Sequence, residues 1–230
     1  MENVLPAYEQ LTLLEHETLN LLYSYLCQWP TLSHLAGFVQ KFQNNMHPSQ
    51  FRMMIYWSVD YKGKGCRIFL GEVFNKQGHK KKDSKISDMS SYMCIVKGID
   101  KPEKVLRKFH FDYVTERADR RESHPRFHLQ YCGGLPPEME ALGITDRMMK
   151  PLEPEVDGPR ILFSPMTLGL LMNIAFYEFP CNDTEEIRKR GEWQNLVRKN
   201  VKTVLLPFYD RCKKLAGKED INFFDEVYVK

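Results

Sequence analysis

The sequence lacks the features that mark membrane proteins, secreted proteins and zinc-stapled domains. No run approaches the roughly 20 apolar residues that span a bilayer, and the acidic N-terminus is unlike the basic, then apolar, start of a signal peptide. The six cysteines include no C-x-x-C pair, so the close ligand spacing of zinc ribbons and fingers is absent. We therefore expect a cytoplasmic protein with reduced cysteines and no contact with membranes.

A large charge of one sign is also missing, since the formal net charge is only +3. Proteins that coat nucleic acids usually carry a greater excess of bases. The positive charge is local, because residues 51–135 contain eighteen Lys and Arg against ten Asp and Glu. This distribution could serve one anionic site and does not indicate a general nucleic-acid coat.

The familiar sequence motifs of nucleotide-binding and hydrolytic sites are absent as well. The chain contains no G-x-x-x-x-G-K-[ST], no G-x-S-x-G and no H-E-x-x-H, and its glycines lack the spacing of a dinucleotide-binding turn. Any active site must therefore be inferred from side chains that the fold brings together.

What the sequence does contain is enough apolar surface for a core, with 43% hydrophobic and 12% aromatic residues in 230. These values exclude a disordered chain. With no repeat and no obvious linker, residues 1–230 are predicted to form a single α+β domain. Its parts are a helical lead-in (1–46), a sheet (50–132), a connection rich in proline and glycine (133–160), a helical region (164–216) and a tail strand (220–229).

Periodicity assigns the helices. Apolar residues recur at helical spacing over residues 11–26, and a second helical pattern lies between residues 31 and 43. Ser164-Pro165 is expected to cap a buried helix that Pro180 ends. A last long helix is predicted to begin at Asp183 or Thr184 and to be kinked or divided at Pro207.

A period of two assigns the strands, which are expected at residues 51–61, 66–74, 91–97, 106–114 and 126–131. They are joined by turn or loop signals, with Lys62-Gly63-Lys64-Gly65 as the first turn. No β-α-β alternation is present, which disfavours a doubly wound sheet. The sequence thus predicts an antiparallel meander of about five strands flanked by N-terminal and C-terminal helices.

Two aromatic-rich segments contain the most informative polar residues. If residues 109–113 and 126–131 pair as a hairpin, alternation places one set of side chains on the core side and another on the opposite side, turned out of the apolar interior. A register with Val114 opposite Arg126 places Asp112 opposite His128 and His110 opposite Gln130. The core-side set is Phe109, Phe111, Tyr113, Phe127, Leu129 and Tyr131, and the opposite set is His110, Asp112, Arg126, His128 and Gln130.

An aspartate beside a histidine forms a workable catalytic unit. Asp112 could orient the His128 imidazole and raise its basicity, as a general base or a metal ligand requires. His124 and His110, with Asp112, would supply nitrogen and oxygen ligands to a divalent metal. The structural alternative is a polar sheet face whose His and Asp only hydrogen-bond to one another.

Arginines near this hairpin suggest a phosphate-binding role. Arg126 could hold a phosphate by charge-assisted hydrogen bonds, together with the loop cations Arg117, Arg120 and Arg121. Arg120 and Arg121 could equally contact a nucleic acid or a protein partner.

A second candidate surface lies on the last predicted helix. At 100° per residue, Arg188, Lys199, Lys202 and Lys213 fall on one side, and a cationic stripe of this kind could follow the phosphates of a nucleic acid. The alternative is the solvated side of an amphipathic helix.

The hairpin also carries a resemblance to known sequences. Phe109-His110-Phe111-Asp112 followed by His124-Pro125-Arg126-Phe127-His128-Leu129 resembles F-x-F-D … H-P-x-x-H-L in uncharacterised bacterial proteins of toxin–antitoxin and phage-defence islands. The resemblance covers only this hairpin. It implies a bacterial cytosolic context with an accessory or effector role, and it assigns no catalytic residue.

Two functional hypotheses follow. The favoured one is a non-catalytic binding component of a larger cytosolic assembly, with a protein partner expected and a nucleic acid as a further candidate, in a phage-defence context. The alternative is a small phosphate-directed hydrolase, in the first instance a nuclease, that uses the His/Asp hairpin site and a divalent metal.

Overall fold

The computed structural model describes residues 4–26, 49–77, 84–99, 101–114, 124–131, 134–149, 160–218 and 228–229. The helices are α1 (Tyr8–Leu26), α2 (Pro137–Glu140), α3 (Leu168–Glu178), α4 (Asn182–Lys189), α5 (Gly191–Asn200) and α6 (Leu206–Ala216), with a 3₁₀ turn at Asp146–Met148 and a π-helical turn at Val201–Leu205. The strands are β1 (Gln50–Tyr61), β2 (Lys64–Lys76), β3 (Ile86–Lys97), β4 (Lys104–Val114), β5 (His124–Pro125), β6 (Phe127–Tyr131), β7 (Arg160–Leu162) and β8 (Tyr228–Val229).

Six of the strands form one antiparallel sheet in the order β1-β2-β3-β4-β6-β7. The α+β class and the antiparallel meander with helices before and after it in the chain are therefore confirmed. The sheet has one more strand than expected, because β7 in the connecting region adds to the edge of β6. A separate two-stranded pairing joins β5 to β8, which is the described part of the predicted tail strand.

The first hairpin of the sheet closes through a two-residue turn. Lys62 and Gly63 have φ angles of 54° and 72°, and Tyr61 pairs with Lys64 on either side of them. Positive φ at both central residues is the signature of a type I′ turn, whose twist matches that of antiparallel strands. The turn predicted from the Lys-Gly repeat is confirmed.

The larger core lies on one face of the sheet. Alternate residues of β1, including Phe51 and Trp57, are at most 1% exposed and pack with Phe74 of β2 under the helices. The indole ring of Trp57 meets Phe176 of α3 edge to face, with 5.5 Å between the ring centroids. Helix α1 presents Leu11 and other apolar side chains to the same core, as its period predicted.

The opposite face of the sheet carries a second, smaller core. Residues 134–149, which contain α2, supply Leu135, Met139 and Ile144 to it, and these are at most 9% exposed. The sheet residues in this cluster are Met54, Phe69, Tyr92, Cys94, Val96 and Val105. The proline- and glycine-rich connection therefore packs on the sheet in part, and the expectation that the hairpin's second face lies outside the apolar interior is wrong where this segment covers it.

Helix α3 begins later than its proline signal indicates. Thr167, and not Ser164, caps it, because Thr167 Oγ1 accepts a hydrogen bond from the Leu170 N–H at 3.3 Å. Thr167 Oγ1 also donates to Asn200 Oδ1 at 2.6 Å, and Asn200 Nδ2 donates to the Leu196 carbonyl at 3.0 Å. Buried Thr167 and Asn200 thus join the start of α3 to the end of α5.

The last predicted helix is divided. Its first part, α4, begins at Asn182, where Thr184 Oγ1 accepts from the Cys181 N–H at 2.9 Å. It ends at Arg190, whose extended backbone (φ −71°, ψ 137°) separates α4 from α5. The predicted alignment of Arg188 with the later lysines requires one continuous helix and is therefore wrong across Arg190.

Pro207 divides the helix in another way. The five residues before α6 form a π-helical turn, with the Leu206 N–H bonded to the Val201 carbonyl. Because proline has no N–H and its ring clashes with the carbonyl four residues earlier, widening this turn relieves the α-helical conflict. Where a kink or a division was expected, Pro207 is therefore preceded by a local change of helix type.

No described helix combines the length and apolar character that crossing a membrane requires. The predicted helix between residues 31 and 43 lies outside the described residues, as does most of the predicted strand at 220–229.

Candidate functional site

The hairpin that the sequence predicts is present in the expected register. Strand β4 pairs with β6 so that Asp112 lies opposite His128 and His110 opposite Gln130. The Val114 N–H donates to the Arg126 carbonyl at 2.9 Å, which extends the pairing beyond the strand end. The hypothesis that the two segments share a hairpin is confirmed.

The aromatic side of this hairpin enters the larger core. Tyr113 and Phe127 are at most 7% exposed and their rings stack at 4.5 Å, while Phe109 and Phe111 pack at the margin of the same core. Tyr131, at the end of β6, is 43% exposed and leaves the interior. Burial of the aromatic rings fixes which way the polar side chains point, because neighbours along a strand face opposite sides.

His128 is held by the fold at both of its ring nitrogens. Its side chain is 4% exposed, and Nδ1 lies 2.9 Å from the Pro125 carbonyl oxygen. A carbonyl can only accept, so Nδ1 carries the proton of this bond. Nε2 faces Asp112 Oδ2 at 3.6 Å. The predicted pairing of Asp112 with His128 is therefore present, with the carboxylate beside the nitrogen that a general base would otherwise turn toward a substrate.

His110 occupies a different setting on the same face. Its Nδ1 lies 3.5 Å from Ser90 Oγ, and its Nε2 is buried without a hydrogen-bond partner among the described residues. Burial lowers the pKa of His110 to about 3, with the nearby Lys108 and His128 acting in the same direction. The imidazole is consequently neutral at physiological pH and cannot serve as a general acid there.

The sheet places further polar side chains beside these histidines. Tyr92 lies opposite His110 across β3 and β4, and Ser90 lies opposite Asp112. Beyond β2, Arg52 on β1 donates from Nη1 to Glu138 Oε1 of α2 at 2.6 Å. Because Ser90 and Tyr92 are two residues apart in β3, the alternation of side chains along a strand predicts that they share one face of the sheet. Nothing in the sequence indicates that residues 134–149 would bring Glu138 to Arg52.

The structure gives less support to a metal site at His110, Asp112 and His124 than to the pairing of Asp112 with His128. Across the described ranges, no three His, Cys, Asp or Glu side chains are grouped closely enough to hold a metal ion. The backbone of His124 forms β5, but its side chain is outside the described set. His110, Asp112 and His128 therefore act as neighbours on one sheet face and do not form a ligand cluster.

The predicted phosphate-binding arginines are only partly described. Arg126 has a half-buried side chain between β5 and β6. Arg117, Arg120 and Arg121 lie outside the described residues. The phosphate-clamp hypothesis stays a prediction.

The predicted cationic stripe is not continuous. Arg188, on α4, lies over the ring of Tyr177 with its guanidinium carbon 3.3 Å from the ring centroid. Lys199, on α5, pairs with Glu17 of α1 at 2.6 Å. Of these cations, Lys202 has neither an ion pair nor a ring contact within the described part of the chain. The break at Arg190 and these contacts within the fold separate the three residues.

One titratable pair was not predicted at all. Glu15 of α1 and Glu72 of β2 are fully buried next to one another, beside the Leu168 N–H that begins α3. Burial raises the pKa of Glu15 to about 8 and that of Glu72 well above its ordinary range. Glu15 falls on the apolar side of α1 and Glu72 on the inward side of β2, which is the only signal that the sequence contains.

Two buried thiols also lie in the sheet. Burial raises the pKa of Cys94 to about 12 and also raises that of Cys66. Both are therefore protonated and unreactive at neutral pH, in keeping with the expected role of the cysteines as small core residues.

In comparisons with known proteins, no family model, no curated protein and no solved structure matches the chain.

Proposed function

We propose that the protein is a non-catalytic binding component of a larger cytosolic assembly. The observation that carries this proposal is the setting of His128. It is 4% exposed, and its two ring nitrogens face the Pro125 carbonyl and the Asp112 carboxylate. Since a general base needs a ring nitrogen within hydrogen-bond reach of its substrate, this arrangement favours a structural role for the His/Asp pair.

The surface best suited to a partner is the outer side of the C-terminal helix. Leu206 and Tyr209 of α6 are 48% and 53% exposed, and Lys202 and Lys213 lie before and after them at helical spacing. We call these four residues the α6 stripe. Neither lysine has an ion pair within the described ranges. Large apolar side chains flanked by unneutralised cations are typical of a contact surface.

The chemistry of the α6 stripe favours an anionic partner that also offers apolar contacts. An acidic amphipathic protein segment fits both requirements, since its carboxylates would meet the lysines while its apolar side chains cover Leu206 and Tyr209. A single-stranded nucleic acid is the other candidate, with bases stacked on Tyr209. The hairpin resemblance supports a bacterial phage-defence context for this binding.

The test is charge reversal within the α6 stripe. The double variant Lys202→Glu, Lys213→Glu should weaken binding of a labelled acidic amphipathic peptide by at least about tenfold, as measured by fluorescence anisotropy. A matched control, Lys101→Glu with Arg107→Glu, makes the same change of charge at exposed positions elsewhere and should leave binding within about twofold. Equal losses in both variants, or no binding of the peptide, would count against the proposal. Preference for single-stranded RNA over the peptide would identify the other partner class.

The alternative, a phosphate-directed hydrolase, is favoured by one observation, the placement of Asp112 and His128 within 3.6 Å of each other. It predicts cleavage of RNA or DNA that requires His128. Under the proposed function, the wild-type protein shows no cleavage with Mg²⁺ or Mn²⁺. Cleavage that His128→Asn abolishes, with an unchanged melting temperature, would overturn the non-catalytic proposal.

A further inference from the structure

A cavity of about 160 Å³ lies between the second face of the sheet and the segment that begins at Gly134. Arg52, Ser90, Tyr92, His110, Leu135 and Glu138 line it. An engineered protein cavity of about 150 Å³ accommodates benzene, so this volume suits a single six-membered ring. Neither the α6 stripe nor the His128 pair is part of it.

The floor of the cavity depends on a glycine. Gly71, Tyr92 and His110 lie side by side on neighbouring strands. The Tyr92 ring crosses Gly71 so closely that a Cβ there would come within 2.2 Å of the phenol oxygen. The Tyr92 and His110 rings are 6.0 Å apart and inclined by 32°. Two nearly parallel polar rings are thus set into the sheet beside the cavity.

Four of the lining side chains have hydrogen-bonding atoms that the described residues leave without a partner. These atoms are Arg52 Nε, Glu72 Oε2, Tyr92 Oη and His110 Nε2, and Tyr92 is only 4% exposed. Buried polar atoms are normally paired, and unpaired ones call for a specific explanation. A bound molecule that contacts this group of atoms provides one.

The charges around the cavity select the kind of molecule. Arg52 uses Nη1 to bind Glu138, which leaves its Nε edge able to donate, and its side chain is 39% exposed. Lys108 is 5% exposed, and its ammonium bonds to the Gly134 carbonyl beside the cavity. Of the two carboxyl groups in the lining, Glu138 is already paired with Arg52, and burial raises the pKa of Glu72 well above its ordinary range. Neither is therefore a free anion for a cationic molecule, which the two bases would oppose. A carboxylate would be held by the guanidinium, the residue best matched to that group.

We propose that this cavity binds a small aromatic carboxylate of one ring, with its carboxylate on the Nε edge of Arg52 and its ring between Tyr92 and Leu135. The side chains of Leu135, Tyr92 and His110 provide the surface that contacts the aromatic ring of this molecule. The phenol and the neutral imidazole provide hydrogen bonds to ring substituents or to the second carboxylate oxygen.

The test is calorimetric titration of the full-length protein with benzoate, benzamide and benzylamine, three probes of nearly equal size that differ in charge. Benzoate is expected to bind with a Kd below about 1 mM, at least about tenfold more tightly than benzylamine. Arg52→Gln should weaken benzoate binding by about tenfold or more and leave benzamide binding within about threefold.

Arg107→Gln is the matched control, because Arg107 is exposed and its side chain bonds to the neighbouring Leu106 carbonyl and to no other described residue. It should leave benzoate binding unchanged. Because Arg52→Gln also removes the ion-pair partner of Glu138, circular dichroism and thermal unfolding are used to verify that both variants fold. No benzoate binding at about 10 mM, equal affinity for benzoate and benzylamine, or equal effects of the two arginine variants would each overturn the proposal.

Discussion

Glu15 and Glu72 touch in the interior, and at the scale of single residues they make the protein sensitive to pH. The pKa of Glu15 is about 8 in the folded state against an ordinary value of 4.5. Between these values the folded protein holds a proton that the unfolded chain has released. The free energy of unfolding should therefore fall as pH rises through this window, by about 1.4 kcal/mol per pH unit for one proton.

Glu15→Gln should make this decline shallower, because an amide stays uncharged and can donate to Glu72, while burial still raises the pKa of Glu72. Urea unfolding at about pH 5, 7 and 9 measures the slope. Glu140→Gln, at an exposed position of α2, is the control and should retain the wild-type slope. A slope in Glu15→Gln equal to that of the wild-type protein would show that Glu15 does not contribute to the decline.

Gly71 is a second residue whose identity is dictated by its neighbour. An added Cβ would overlap the Tyr92 ring, with 2.1 Å to Cζ, so Gly71→Ala should destabilise the protein by about 1–3 kcal/mol. Gly134→Ala, where a Cβ meets nothing within 4 Å, should cost far less. Chemical denaturation measures both. Combining Gly71→Ala with Tyr92→Ala should remove most of the added cost of the glycine substitution, and full additivity would contradict the overlap.

At the scale of elements, a buried polar pair helps to join α3 to α5, in addition to the hydrogen bond from Trp193 Nε1 to Asn173 Oδ1. Asn200→Ala should lower the free energy of unfolding by about 2 kcal/mol, because it leaves the buried Thr167 hydroxyl without its acceptor. A double-mutant cycle with Thr167→Ala should give a coupling energy of about 1 kcal/mol. Asn195→Ala, at an exposed position of α5, is the control with little expected change. Additive effects at Thr167 and Asn200 would show that the bond contributes nothing of its own.

Strand patterns were readable from the sequence because burial on alternate residues is a local signal. Phe109, Phe111 and Tyr113 alternate with polar residues in β4, and matching alternation in β6 left few registers that bury both apolar sets. Alternation alone does not choose among these registers, and the structure has the assumed one, with Asp112 opposite His128. The faces of the two strands were therefore predictable, whereas their register was not.

The remaining features depend on contacts distant in sequence. No local pattern shows that Glu138 pairs with Arg52, or that Leu135 and Met139 cover Tyr92 and His110. The break at Arg190 was missed because helix periodicity on each side of it is intact, while the residue itself has no helix-breaking chemistry. Ordinary residues adopt extended backbone when tertiary packing requires it, and propensity does not report this.

At the scale of the whole molecule, one sheet is shared by two cores and should couple their stability. Met139 is fully buried in the smaller core, whereas Trp57 and Trp193 belong to the larger one. Met139→Ala should lower the free energy of unfolding by about 2–3 kcal/mol. Denaturation followed by tryptophan fluorescence should show this whole loss, because the two cores unfold together. Met148→Ala, at the margin of the smaller core, should have a smaller effect. An unchanged tryptophan transition, with hydrogen exchange increased only in residues 134–149, would show that this segment opens as a separate unit.

The type I′ turn at Lys62 and Gly63 has a consequence for the order in which the chain assembles. It joins two long strands across the smallest loop that a hairpin permits, so the entropy lost in closing it is minimal. By contrast, residues 27–63, 37 in number, separate α1 from β2 along the chain, so their contact closes a much longer loop. We expect this hairpin to act as the nucleus on which later strands condense, with α1 docking among the last elements.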